Sequence, residues 1–145
     1  KGLWVFAVLD DASRYLLALL EVKSATTDAS IEGMNYALKY GKIKQCITDH
    51  GTEFIKQKGM KSGFVEYLKG EGIKQILCRI KHPQSNGKVE KFIHLYQQHR
   101  AAFKTKEAFM HWYNEIRPHM SLKDDILETH EQAYQRKKKK GINPT

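Results

Sequence analysis

Cysteine, proline and uninterrupted apolar sequence are scarce in this chain of 145 residues. Its two cysteines, Cys46 and Cys78, each sit inside a strand-like run, which points to reduced core thiols rather than a disulfide or a metal pair. No stretch of about 18 apolar residues occurs, which excludes a membrane span, and the start carries neither an n-region nor a cleavage site for a signal peptide. Seven histidines are present without zinc spacing: His94 and His99 stand five apart, off a shared helix face. No internal repeat, low-complexity segment beyond one basic run, or linker marks a second domain. A cytoplasmic protein is the expectation, and the chain's richness in lysine points to a prokaryotic or archaeal host.

What is abundant is positive charge. Twenty-five Lys and Arg face 16 Asp and Glu, a formal net charge of +9 with a sequence pI near 9.5, which suits a polyanionic partner. The sharpest cluster, Arg136-Lys137-Lys138-Lys139-Lys140, reads as a solvated tail or a sequence-independent phosphate contact. With 41% hydrophobic and 10% aromatic residues the chain can bury an ordinary core. One domain over residues 1–145 is expected, its core reaching to about 120 and residues 121–145 forming a C-terminal helix and basic tail.

Periodicity orders the elements. Residues 3–9 and 15–22 read as a hairpin around Ser13-Arg14, with Asp10 and Asp11 capping the turn. Thr26 or Thr27 caps a helix with Ile31, Met34, Ala37 and Leu38 at helical spacing, which Gly41 stops. Residues 43–48 form a strand buried on both faces, and Ser62 caps a short helix carrying Phe64, Tyr67 and Leu68, ended by Gly70 and Gly72. Residues 73–78 form the last strand. A long helix then presents Val89, Phe92, Ile93, Tyr96 and Phe103 on one side. Residues 106–117 form another helix with Phe109, Trp112, Tyr113 and Ile116 as its apolar face, and Thr129 caps a final helix with Ala133 and Tyr134. The order is α/β, a hairpin feeding a partly parallel sheet.

Two acidic motifs stand at element ends in this order: Thr48-Asp49-His50-Gly51-Thr52-Glu53-Phe54, closing a strand, and His82-Pro83-Gln84-Ser85-Asn86-Gly87-Lys88-Val89-Glu90, opening a helix. Alone, Asp49 reads as a strand-end turn residue and Glu90 as a first-turn glutamate favoured by the helix dipole. Together they resemble the second and third acidic positions of the DDE transposase and retroviral integrase catalytic core. Trp112-Tyr113-Asn114-Glu115-Ile116-Arg117-Pro118-His119-Met120-Ser121-Leu122 extends the resemblance to the insertion-sequence transposases of prokaryotes.

The resemblance implies an RNase H-like fold and metal-dependent 3′-end cleavage and strand transfer on DNA. Two divalent ions about 3.5–4 Å apart activate the nucleophile and neutralise the leaving oxygen in such reactions, and Mg²⁺ or Mn²⁺ prefers the hard oxygens that carboxylates supply. Asp49 and Glu90 are then the catalytic, metal-binding carboxylates, each holding one ion. Asn86, Lys88, Lys91, His94 and Arg117 are the DNA-binding candidates. DNA ends and target are the implied partners, handled by a homodimer or higher oligomer. Residues 55–62 read as a lengthened Lys/Gly-rich surface loop.

One departure qualifies the resemblance. The bridging aspartate of the family belongs to a strand ahead of residues 3–9, so the chain is expected to lack its first strand and to leave an edge that a partner or second copy covers. Two further readings stay open: a non-enzymatic DNA- or partner-binding remnant with a degenerate metal site, and a stand-alone RNase H-like nuclease.

Overall fold

The computed structural model describes residues 3–48, 63–77, 87–117 and 129–139. Strand β1, Trp4–Leu9, pairs antiparallel with β2, Leu16–Val22. Helix α1, Thr27–Leu38, leads to β3, Gln45–Thr48; helix α2, Gly63–Gly70, then leads to β4, Lys74–Leu77, which pairs parallel with β3. Helices α3, Gly87–His99, α4, Lys106–His111, and α5, His130–Lys139, follow. Among the described residues the strands form two separate two-stranded sheets, β1-β2 and β3-β4.

The hairpin turn is built by its own side chains. Asp10 Oδ2 accepts hydrogen bonds from the Ser13 backbone N–H (2.8 Å) and hydroxyl (2.5 Å), the local chemistry by which Asp favours turns. Arg14 takes the left-handed conformation (φ 63°) that lets the chain reverse.

Strand β2 is the centre of the core, buried from Leu16 to Leu20, as an element covered on both faces must be. Opposite β1 the pairing skips a residue: Val8 faces Ala18, Leu9 faces Leu16, and Leu17 is the extra residue of a bulge. Leu17 and Ala18 therefore share one side, packing with Met34 and Ala37 of α1, Phe64 and Leu68 of α2, and Tyr134 of α5. Leu16 and Leu19 point to the other, into the aromatic cluster of Phe92, Tyr96, Phe109 and Tyr113. Strict alternation would have divided these residues differently.

Most expected elements are present, with Thr26 capping α1 through the Ala29 N–H (3.1 Å) and Thr129 capping α5 through the Gln132 N–H (3.2 Å). Four expectations need correction. Helix α3 stops at His99 and a 3₁₀ turn, Arg100–Ala102, follows; the Arg100 guanidinium binds the Phe103 carbonyl (2.8 Å), and Phe103 reaches the aromatic cluster from extended backbone. The helix over 106–117 widens into a π-helical turn, Trp112–Ile116, which turns Asn114 inward and leaves Ile116 57% exposed. Strand β3 is not buried on both faces, because Ile47 is 39% exposed. The basic run is partly helical rather than a free tail: Arg136 to Lys139 lie on α5, where half-buried Lys137 donates to the Ala12 carbonyl. Ser62, Cys78 and the loop over 55–62 lie outside the described residues.

Candidate active site

Glu90 lies in the first turn of α3 with an exposed side chain, where the helix N-terminus favours negative charge. It lines a cavity of about 450 Å³ together with Asp10, Asp11, Thr48, Lys88 and His94. Thr48 is the last residue of β3, buried, its hydroxyl accepting from Gln75 Nε2 at 3.0 Å, so the strand that ends in the first acidic motif and the helix that carries the second border the same space. Asp49 and Asn86 themselves lie outside the described residues.

The basic candidates separate into different environments. Lys88 is half-buried and tied down: its Nζ lies 2.6 Å from Asp11 Oδ1 and donates to the Asp11 carbonyl (2.9 Å), which fixes the start of α3 against the hairpin turn. His94 is exposed on the cavity wall, its Nε2 3.2 Å from Gln98 Nε2. Lys91 is exposed on α3 and Arg117 is half-buried after the π-helical turn; neither lines the cavity. The structure thus gathers Lys88, Glu90 and His94 and leaves Lys91 and Arg117 apart.

Of the remaining carboxylates, Asp10 is the most constrained. Burial pushes its carboxyl above the ordinary range, against the lowering effect of the Ser13 hydrogen bonds and of Lys137, and its Oδ1 is buried without a hydrogen-bond partner. Its Oδ2 is engaged in the turn with Ser13. Among the described residues no three His, Cys, Asp or Glu side chains converge to hold a metal ion. Glu90, an exposed oxygen donor at a helix start, fits one position in a Mg²⁺ or Mn²⁺ shell. Cys46 is a free thiol that burial pushes up to about 11, as expected of a core cysteine.

Residues to which the sequence reading gave no bridging role carry much of the support. Asn114, buried in the π-helical turn, accepts from the Leu16 N–H through Oδ1 (2.8 Å) and donates to the Leu16 carbonyl through Nδ2 (3.0 Å). Its amide acts as one rung of a sheet at the start of β2. Tyr113 adds a hydrogen bond to the Arg14 carbonyl (3.1 Å). Glu21 receives the Tyr96 hydroxyl (2.6 Å) and the Arg100 guanidinium (2.5 Å), joining β2 to the end of α3; these hydrogen bonds, Arg100 first, hold its carboxyl below the usual range. The available signal for Asn114 was a polar residue inside the apolar pattern of Trp112, Tyr113 and Ile116.

No family model matches the chain. Over 89 residues it is 34% identical to an uncharacterized protein of Archaeoglobus fulgidus, covering 61% of this chain and 70% of that one. It is 35% identical over 89 residues to a retrovirus-related Pol polyprotein from transposon 412 of Drosophila melanogaster, of which it spans 7%. It is 30% identical over 105 residues to an integrase ORF3 of a Spiroplasma virus, of which it spans 29%. Among solved structures it is similar to the catalytic core domain of BIV integrase, with TM-score 0.71 and 14% identity over 97% of this chain and 91% of that one. It is likewise similar to a chain of the simian T-cell lymphotropic virus intasome in complex with a PP2A regulatory subunit, with TM-score 0.68 and 15% identity over 92% of this chain and 52% of that one.

Proposed function

We propose, for a chain that is an integrase- or transposase-type core in sequence and RNase H-like in fold, that it serves metal-dependent cleavage of DNA 3′ ends and their transfer to target DNA. The observation that carries this reading is the meeting of the two motif-bearing elements at one cavity, the end of β3 with Thr48 and the start of α3 with Glu90. Asp49 and Glu90 hold Mg²⁺ or Mn²⁺ in this reading. A divalent ion there supplies activation of the nucleophile and neutralisation of the leaving oxygen.

The chain's own groups bind and place the DNA. Lys91 and His94, exposed on α3 one and four residues beyond Glu90, meet phosphates beside the reacting one, with Asn86 and Arg117 as further contacts. Lys88 orients α3 through Asp11 and adds positive potential at the cavity. The assembly contains at least two copies, because two DNA ends must be held together.

Calorimetric titration of Mn²⁺ into the chain, beside Asp49→Ala and Glu90→Ala, tests the reading without knowledge of the DNA ends. Binding that both substitutions abolish supports it, and a strand-transfer assay follows. DNA binding that is indifferent to metal and to both substitutions overturns it and supports a non-enzymatic DNA-binding role instead.

A further inference from the structure

Two segments of the chain carry lysine without acid. Residues 33–48 hold Lys39, Lys42 and Lys44 and no Asp or Glu, and residues 132–145 hold Arg136 to Lys140 and again none. The first runs from α1 into β3 and the second includes most of α5, far apart in sequence. The fold brings them together. Tyr134 of α5 donates its hydroxyl to the Tyr40 carbonyl (3.4 Å) across 94 positions. Buried Tyr15 holds both sides, its ring 4.9 Å from that of Tyr134 and 5.5 Å from that of Tyr40.

The cations face solvent at this junction. Helix α1 ends at Leu38 and Gly41 turns the chain with φ 139°, a conformation that glycine adopts readily. Ile43 then enters the core, while Lys42 and Lys44 on either side of it are exposed. The Lys39 ammonium lies over the Tyr36 ring at 4.6 Å and that of Lys138 over the Tyr134 ring at 5.8 Å, so ring faces hold two of the cations. Among the described residues the ion pairs involve Lys88, Arg100 and His111, and no carboxylate pairs with Lys39, Lys42, Lys44 or Lys138. The one acidic residue of α5, Glu131, is half-buried beside Tyr15. None of these lysines lines the cavity beside Glu90.

We propose that the junction of α1 and α5 is a separate DNA-binding surface, where Lys39, Lys42, Lys44 and Lys138 contact the phosphate backbone of a duplex outside the candidate active site. Lysines of two elements, gathered without carboxylates, present the positive potential that attracts a polyphosphate backbone. The rings here are not base platforms. Stacking needs an open face, whereas Tyr134 is buried, Tyr36 carries Lys39 and Tyr40 meets Tyr15 edge-on at 70°. An anionic lipid surface would need an apolar face on the basic helix, and among the described side chains of α5 the exposed ones are Gln132, Gln135 and Lys138. The surface therefore contacts phosphates and carries no sequence preference. It rests on the functional reading only in taking DNA as the polyanion.

Fluorescence anisotropy tests it, with a labelled mixed-sequence duplex of about 30 base pairs titrated over a range of salt in the presence of EDTA. Lys42→Gln and Lys138→Gln, one from each segment and both exposed, are each expected to lower the slope of log K against log salt by about 0.9, and the double variant by about 1.8. Lys23→Gln/Lys104→Gln removes the same charge from exposed positions elsewhere and should leave the slope unchanged. An equal fall in that control overturns the proposal in favour of net charge alone. A fall confined to Lys138→Gln also overturns it and returns the basic run to an isolated contact. So does a double variant that loses more affinity for single-stranded DNA than for the duplex, which assigns the surface to unpaired strands. Failure to bind the duplex at all overturns it as well. Because no divalent metal is free in this assay, each outcome leaves the Mn²⁺ titration with Asp49→Ala and Glu90→Ala to decide the functional reading separately.

Discussion

Replacing Asn114 by Ala should be among the most damaging single substitutions in the chain, although the residue is polar and small. Its amide meets both the N–H and the C=O of Leu16, whose residue is fully buried at the start of the central strand. Truncation leaves two buried backbone groups unpaired, each costing roughly 1–3 kcal/mol, so the expected loss is about 3 kcal/mol. Against a domain stability of roughly 5–15 kcal/mol this is a large fraction. With an m-value on the order of 1.5 kcal/mol/M, the urea midpoint should fall by about 2 M. Asn114→Asp separates lost hydrogen bonding from lost packing, since it keeps the shape but turns a donor toward the Leu16 carbonyl into an acceptor. A protonated Asp at 114 restores the donor, so folding raises its pKa above the unfolded value. The stabilisation it gives is fully present below the unfolded pKa and is lost as pH rises through the folded one. The deficit of Asn114→Asp relative to the unmutated chain should therefore narrow from pH 7 to pH 4. A cost under about 1 kcal/mol for Asn114→Ala, or a pH-independent deficit for Asn114→Asp, would refute the sheet-rung role.

Three other substitutions probe separate links. Glu21→Gln should flatten the acid limb of stability: the Glu21 carboxyl is lowered by Arg100 and Tyr96, so its contribution is present above the ordinary value of 4.5 and lost as pH falls through the folded pKa. Partial exposure of the pair limits the effect to about 1–2 kcal/mol, read by urea unfolding at pH 7 and pH 3. Gly33→Ala should destabilise by about 1–2 kcal/mol despite better helix propensity, because a Cβ there would lie 2.1 Å from Phe6 Cε1; Phe6→Leu should recover part of the loss, and an additive double mutant would show that the two residues do not conflict. Lys88→Ala should change stability by less than about 0.5 kcal/mol, given the exposure of its Asp11 pair, while lowering the salt-dependence slope of DNA binding by about one; an unchanged slope would remove Lys88 from the phosphate contacts.

How far the sequence could be read depended on whether a residue's role is local. Caps and turns are local chemistry, and Thr26, Thr129 and the Asp10–Ser13 turn are found where the pattern placed them. Apolar periodicity located Phe92, Tyr96, Phe109 and Tyr113 correctly as core, yet it could not show that Phe103 arrives from a turn or that Ile116 is exposed. Those outcomes depend on Arg100 reaching Glu21 across 79 positions and on Asn114 reaching Leu16 across 98, partners that no window of sequence contains. The Trp112-Tyr113-Asn114 segment, which carries the resemblance in sequence, has a structural role in the fold: Asn114 and Tyr113 hold Leu16 and Arg14, and Trp112 and Tyr113 pack in the aromatic cluster.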